Sequence, residues 1–134
     1  MNKLFYSMKH KKRGFTLIEL IVVIAILGIL AAIIIPSVIG FVGDSKAASV
    51  KSSCRTIVQG GTAYAVSQIT QSATYAGGTY IKTNDAAKFE PYFGTPSGDW
   101  KIIIDINGIV TDANYTDGAK TCTYSSTDAS YTVG

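Results

Sequence analysis

Residues 15–35 read FTLIELIVVIAILGILAAIII, an apolar run that contains a single charged side chain. As an α-helix at 1.5 Å per residue, this run would extend about 31 Å, which is enough to cross the hydrocarbon core of a bilayer. Basic residues precede the run and none follows it directly, so the N-terminus is expected in the cytoplasm and everything after Pro36 outside it. The sequence therefore predicts a single-pass membrane protein with a hydrophobic transmembrane helix at 15–43.

The positive charge of the chain is concentrated at its N-terminus. The 134 residues include 12 basic and 9 acidic side chains, a formal net charge of +3. Five of the basic residues lie within 1–14, where no acidic residue occurs, so the remainder carries seven basic against nine acidic residues. A slightly acidic body excludes a nucleic-acid binder that works through bulk positive charge, and no nucleic-acid partner is predicted.

A basic stretch followed by an apolar run is also typical of secretory signals. An ordinary signal peptide has a short apolar core and a cleavage site with small residues. Here the run is long and ends in isoleucines before Pro36, which disfavours that interpretation. A signal anchor stays open, and with it the alternative that the chain is a signal-anchored monomeric surface protein with a small binding head.

Glu19 is the only charged residue between Phe15 and Ser37. A carboxylate at this depth of a membrane costs about 3 kcal/mol on insertion scales, so it calls for a partner. If the chain were cut between Gly14 and Phe15, the new α-amino group would be a cation near the carboxylate. In staggered neighbours, the amine of one subunit could then neutralise Glu19 of the next. The alternative is a side chain that snorkels to the cytoplasmic headgroups.

The segment KRGFTLIEL at 12–20, followed by the apolar run and Pro36, resembles the N-terminal signature of type IV prepilins and pseudopilins. The resemblance covers roughly residues 9–43. It is specific because it combines a position in the chain, a spacing and an anomalous acidic residue.

The resemblance implies a defined maturation pathway. It implies that residues 1–14 are a leader peptide, removed after Gly14 by a membrane prepilin peptidase, usually with N-methylation of Phe15, the mature N-terminus. It further implies that Glu19 acts in subunit recruitment and stacking. The partners expected on this basis are the peptidase and methylase, a membrane assembly platform, membrane lipid before assembly, and other copies of the chain in a helical filament.

The helical pattern extends beyond the apolar run. Pro36 cannot donate a hydrogen bond to the carbonyl of Ala32 and follows three β-branched residues, so the helix is predicted to kink, loosen or break at Pro36. Beyond Asp44 the helical period continues to about Ser67, where Gly60-Gly61 is either a weak point or a close-packing site. The apolar stripe of this second half consists of Val50, Cys54, Ile57, Val58, Ala65 and Ile69.

Strand signals dominate the last third of the chain. After a loop-rich stretch at 71–83, the run WKIIIDI at 100–106 precedes Asn107-Gly108 and a second β-branched run. Asn-Gly between such runs is the strongest short-range signal of a two-residue hairpin. A third strand is predicted at Lys120–Ser125. The residues expected to face the helix from the first strand are Trp100, Ile102, Ile104 and Ile106.

The predicted fold class is therefore α+β, a pilin-like arrangement. A long N-terminal helix, hydrophobic in its first half and amphipathic in its second, carries a small antiparallel β-sheet. Residues 44–134 would form the extracellular globular part, which is long enough for one modest core.

Cys54 on the helix stripe and Cys122 in the third strand are the two cysteines of the chain. In an extracellular domain such a pair indicates a disulfide, which would close a loop worth roughly 4 kcal/mol in the chain-entropy model. Two reduced core cysteines are the alternative. The resemblance leaves both open, since members of the family differ in this respect.

The sequence contains no catalytic constellation. Its single histidine, His10, lies in the expected leader, so no Ser-His, Cys-His or His-metal site is predicted for the mature chain, and no enzyme activity, cofactor or metal. The stretch from Asp112 to Gly118 lacks the spacing of an EF-hand calcium loop. The function predicted is a structural subunit of a type IV pilus or related filament; major pilin, minor pilin and pseudopilin stay open.

Overall fold

The computed structural model describes residues 14–72 and 74–134, so the expected leader lies outside the described residues except for Gly14. The described residues form two helices and one five-stranded sheet, which confirms the α+β prediction. The elements in chain order are α1 (Leu17–Gln71), β1 (Gly78–Ile81), α2 (Lys82–Phe93), β2 (Asp99–Ile104), β3 (Val110–Asp117), β4 (Lys120–Ser125) and β5 (Ser130–Val133). The chain divides into two units, one up to Gly40 and one, here called the head, from Phe41 to Gly134.

The described part of the first unit is helical from Leu17 onward, and every residue from Gly14 to Gly40 is exposed. The predicted break at Pro36 is wrong, because α1 continues through that residue. A proline removes one backbone hydrogen bond from a helix, and the bonds of the neighbouring turns suffice here to carry the helix past it. The hydroxyl of Ser37 donates to the Ile33 carbonyl at 3.4 Å, within the same turn.

The sheet of the head is an antiparallel meander in which strand order follows sequence order. Each strand pairs with the next strand in the sequence. The connections between them are short, except for the one from β1 to β2, which contains α2. The predicted third strand, Lys120–Ser125, is β4 with the same bounds. The edge strands β1 and β5 lie in stretches where no strand was predicted.

The core lies between the second half of α1 and one face of the sheet. Of the predicted stripe only Ile69 is largely exposed, at 41%. On β2, Trp100, Ile102 and Ile104 are buried as expected, whereas Ile106 lies beyond the strand and is 68% exposed. The buried apolar residues are Val50, Cys54, Ile57, Val58, Ala65, Phe89, Trp100, Ile102, Ile104, Val110, Ala113, Tyr115 and Cys122.

Gly60 and Gly61 are both buried and lie where α2 and β3 pack tightly on α1. A Cβ at Gly60 would lie 2.5 Å from Cδ1 of Phe93 on α2, and a Cβ at Gly61 would lie 3.1 Å from Cγ2 of Val110 on β3. Of the two interpretations of this pair, the close-packing site is therefore correct.

Helix α2 was not predicted. It carries few apolar residues and contains Pro91, so its helical period is faint in the sequence. It docks through Phe89, which is fully buried with its ring centroid 4.4 Å from that of Tyr64 and 5.3 Å from that of Trp100. A hydrogen bond of 2.6 Å between the Tyr92 and Ser67 hydroxyl oxygens adds a second tie to α1.

The connection from β2 to β3 differs from the predicted two-residue turn. Asp105 and Ile109 pair through a backbone hydrogen bond of 2.9 Å, and the N–H of Gly108 donates to the Asp105 carbonyl at 3.1 Å. Gly108 has φ of +81°, whereas Asn107 does not have a positive φ. This is the pattern of a three-residue loop with a type I turn followed by a left-handed glycine, because a two-residue type I′ turn would require a positive φ at asparagine.

Candidate functional site

The start of α1 is held by a reciprocal pair of side chains. The carboxylate oxygen Oε2 of Glu19 accepts a hydrogen bond from the Thr16 N–H at 2.8 Å and another from the Thr16 hydroxyl at 2.7 Å. In return, the Thr16 hydroxyl oxygen accepts from the Glu19 N–H at 3.3 Å. Thr16 precedes the first helical residue, Leu17, so the two residues form a capping box at positions N-cap and N3. The carboxylate thereby satisfies the backbone N–H of Thr16, and the Thr16 hydroxyl satisfies that of Glu19, one of the N–H groups that the helix leaves unpaired.

Glu19 lies in an otherwise apolar setting. A shallow open groove is lined by Glu19 together with Phe15, Ile18, Val22 and Val23. Phe15 is 83% exposed. A contiguous apolar surface of this kind marks an interaction site or a membrane contact.

Gly14 and Phe15 lie directly before Thr16, the N-cap of α1, and both are exposed. Phe15 lines the same groove as Glu19, so the predicted cleavage position and the predicted register residue are neighbours on one surface. In the uncut chain the nitrogen of Phe15 belongs to a peptide bond. An α-amino group would arise there only on cleavage after Gly14.

Thr16 was not assigned a role by the sequence reasoning. The signal was present, since Thr16-Leu17-Ile18-Glu19 is the Ser/Thr-x-x-Glu pattern of a capping box before an apolar run. A lone charge in an apolar run indicates a partner outside the chain, and this interpretation hides the local capping pattern. In the described structure that carboxylate does have an intrachain partner.

The two cysteines meet in the core of the head. Cys54 on α1 and Cys122 on β4 are each 0% exposed, and both are present as thiols. Burial raises the pKa of the Cys54 thiol well above its usual range, and the neighbouring Cys122 thiol raises it further. The ring of Tyr131 on β5 covers this part of α1 and stacks against the Arg55 guanidinium, 5.3 Å from the ring centroid.

The ionisable groups of the head serve local structure. The Asp85 carboxylate accepts from Lys88 at 2.8 Å and from the Ile81 N–H at 3.1 Å, and these bonds lower its pKa. Burial raises the pKa of Tyr80 to about 12.

Within residues 14–72 and 74–134, no group of three or more His, Cys, Asp or Glu side chains could hold a metal ion. The stretch compared with a calcium loop belongs mostly to β3.

Comparisons with known proteins bear on the N-terminal site. A family model described as the prokaryotic N-terminal methylation motif matches residues 9–35. The type IV major pilin protein PilA of Myxococcus xanthus (strain DK1622) is 51% identical over 47 residues, which are 35% of this chain and 21% of that protein. The type IV major fimbrial protein FimA of Dichelobacter nodosus is 51% identical over 45 residues, 34% of this chain and 29% of that protein. No solved structure matches the chain significantly.

These matches concern the N-terminal segment: it is similar to the prokaryotic N-terminal methylation motif, and it continues into a helix long and apolar enough to cross a membrane. The resemblance to the type IV pilin family is thereby confirmed. The matched region spans less than a third of the length of either relative.

Proposed function

We propose that this chain is a structural subunit of a type IV pilus or a related surface filament. The observation that carries the proposal is the match to the methylation motif at 9–35, together with the exposed large apolar side chains from Phe15, before α1, to Val42 within it. Such a surface needs lipid or other apolar helices around it. A filament subunit uses both in turn, lipid before assembly and neighbouring copies afterwards.

The proposed division of the chain follows from this pathway. Residues 1–14 are a leader peptide, 15–43 the transmembrane and assembly segment, and 44–134 the extracytoplasmic globular part. A membrane prepilin peptidase and methylase cuts after Gly14 and methylates Phe15. A membrane assembly platform then transfers the subunit from the bilayer to the filament.

In the filament, Glu19 is proposed to pair with the Phe15 amine of a neighbouring copy. The hydrogen bonds from Thr16 support a two-stage role, because they give the carboxylate polar partners while the subunit is still alone in the bilayer. All of these bonds end on Oε2, and within the described residues Oε1 accepts none. An ammonium group can therefore approach Glu19 without displacing the capping box.

Cys54 and Cys122 are proposed to form a disulfide once the head reaches an oxidising compartment. Their full burial and mutual contact support this pairing. The bond would tie α1 to β4 and add roughly 4 kcal/mol to head stability in the chain-entropy model. The proposed role of the disulfide is to stabilise the head of a subunit that is exposed on the cell surface.

The first experiment determines the N-terminal peptide of the protein from membrane and sheared surface fractions by mass spectrometry. A chain that begins at methylated Phe15 and is abundant in the sheared fraction is the expected result. A chain that keeps residues 1–14 in cells with an active prepilin peptidase, and that never leaves the membrane fraction, would refute the proposal in favour of a signal-anchored monomer.

The role of Glu19 is tested by a pair of substitutions. Glu19→Gln keeps a side-chain oxygen for the capping box but removes the charge, whereas Glu19→Ala removes both. We expect both variants to be inserted and cleaved, and both to fail in assembly because the neighbour's ammonium has no anion to meet. Normal filaments from Glu19→Gln, with none from Glu19→Ala, would contradict charge pairing and leave helix capping as the function of the residue.

A further inference from the structure

The dipeptide Asn107-Gly108 carries chemistry that the assembly of a filament does not use. In an Asn-Gly pair the glycine backbone nitrogen can attack the asparagine side-chain carbon, since glycine has no side chain to obstruct the approach. We propose that Asn107 is a latent deamidation site, blocked by Asp105 while the head is folded and reactive only when the β2–β3 loop opens.

The reaction needs only water. The amide of Gly108 loses its proton to water or hydroxide, and its nitrogen forms a bond to Cγ of Asn107. The bond from Cγ to Nδ2 breaks, ammonia leaves, and a five-membered succinimide remains. Water then hydrolyses one of the two ring carbonyls, which gives aspartate or isoaspartate at position 107. No group is oxidised or reduced.

Asp105 accepts hydrogen bonds from both reacting groups, the attacking nitrogen of Gly108 and the leaving amide nitrogen of Asn107. Its backbone carbonyl accepts a hydrogen bond from the attacking nitrogen of Gly108 at 3.1 Å. Its carboxylate accepts from Nδ2 of Asn107, the group that has to leave, at 3.1 Å, and from the Asn107 backbone N–H at 2.9 Å. A further bond of 2.8 Å from the Ile109 N–H fixes the carboxylate itself. Ring closure therefore requires several of these bonds to break together.

Packing against α1 supplies a second constraint. Gly108 is buried, and a Cβ built on it would lie 2.8 Å from Cδ1 of Ile69 and 3.3 Å from Cβ of Ala65. To reach Cγ of Asn107, the glycine nitrogen has to swing about the bond between Cα and C of Asn107. That rotation would lift Gly108 off the helix, so the reactive geometry is accessible only from an opened loop. Asn107 itself is exposed, so water reaches the site once the loop opens.

The product would not fit the closed loop. Deamidation replaces a hydrogen-bond donor beside the Asp105 carboxylate by a second carboxylate, and two like charges in contact repel each other. Isoaspartate also lengthens the backbone of the turn by one carbon. A head whose Asn107 has been deamidated therefore cannot re-form this loop. Aspartate or isoaspartate at position 107 would show that the loop had opened.

The test compares deamidation in the folded and the unfolded head. The full-length chain in detergent is incubated at mildly alkaline pH, with and without guanidinium chloride, and the peptide containing residue 107 is followed by mass spectrometry. We expect the folded head to react at least about tenfold more slowly, because ring closure must first break hydrogen bonds to a charged acceptor. Equal rates in the folded and unfolded chains would overturn the proposal.

A matched pair of variants isolates Asp105. Asp105→Ala should accelerate deamidation of the folded chain towards the unfolded rate, whereas Asp112→Ala, at an exposed position of β3, should leave the rate unchanged. The fluorescence of buried Trp100 verifies that each variant is folded. If Asp105→Ala does not fold, Asp105→Asn keeps one acceptor oxygen and should give an intermediate rate. A folded Asp105→Ala or Asp105→Asn variant that reacts no faster than the unaltered chain would refute the role of Asp105.

Discussion

Replacing Gly60 by alanine should destabilise the head, although alanine is the better helix former. In an unobstructed helix this change gains about 1 kcal/mol. At Gly60 the new methyl group would lie 2.5 Å from Cδ1, 2.9 Å from Cβ and 3.1 Å from Cγ of Phe93. Since Cβ is attached directly to the backbone of α2, Phe93 cannot avoid the methyl group by changing its rotamer alone. The helix α2 has to move away from α1.

Gly43→Ala is the matched control, because it lies in the same helix and a Cβ there meets no atom within 4 Å. Overpacking of a core costs about 1–3 kcal/mol, and contact with a main-chain-attached carbon favours the upper half of that range. Relative to Gly43→Ala, we therefore expect Gly60→Ala to lose about 2–3 kcal/mol in the free energy of unfolding. For a domain of this size that corresponds to a decrease of roughly 10–20 °C in Tm.

The natural tryptophan provides the assay. Trp100 is 4% exposed, with its ring centroid 5.2 Å from that of Phe93, so its fluorescence reports directly on the affected contact. Thermal and urea unfolding of the full-length variants would be measured in the same detergent. A Gly60→Ala head as stable as the Gly43→Ala head would refute the close-packing argument.

Three further predictions concern the helix start and the ionisable groups of the head. Thr16→Val should destabilise the start of the helix by about 0.5–2 kcal/mol. In lipid, the Glu19 amide should then exchange its hydrogen faster in Thr16→Val than in Thr16→Ser, which keeps the capping hydroxyl. Equal exchange rates in the two variants would contradict the capping box. With reduced cysteines, the raised pKa of Cys54 means that head stability is full below the usual thiol pKa of about 8.5 and declines as the pH rises above it. Urea titrations at several pH values, with and without reductant, test this prediction, because a disulfide between the two cysteines has no thiol to ionise. An equal loss of head stability with and without reductant would show that the loss does not come from the Cys54 thiol. Hydrogen bonds, first of all that from the Ile109 N–H, lower the pKa of Asp105, so its contribution to stability is present above about pH 4 and is lost as the pH falls below it. Between neutral and acid pH, the Tm of Asp105→Asn should fall less than the Tm of the exposed control Asp128→Asn. An equal fall in Tm for both variants would contradict the stabilising role of the Asp105 carboxylate.

The helical half of the fold was readable from the sequence because its signals are local and strongly periodic. The apolar run and the stripe from Val50 to Ala65 follow directly from the spacing of apolar residues. The edge strands and α2 were missed because tertiary contacts define them. Phe89, for example, is buried by aromatic neighbours from α1, β1 and β2 that no local pattern reveals.

Two local errors have physical causes of the same kind. Asn-Gly favours a two-residue turn when only the turn residues are considered, but the Asp105 side chain and the packing of Gly108 on α1 favour the longer loop. Pro36 is a helix breaker in isolation, yet it lies within a long helix whose other hydrogen bonds continue on both sides. At the candidate site, the charge of Glu19 distinguishes it in the sequence, whereas the role of Thr16 is evident only when helix capping is considered.

The strand order of the head has a consequence for how it folds. Strands that pair with their neighbours in sequence make contacts of low sequence separation, and such topologies fold faster than those with distant pairings. The exception is α1, whose buried stripe is synthesised before the strands that pack on it, among them β3 and β4. Until the strands fold, the stripe around Cys54 and Ile57 remains uncovered, so the folding rate of the meander limits how long a newly synthesised chain can aggregate through that stripe.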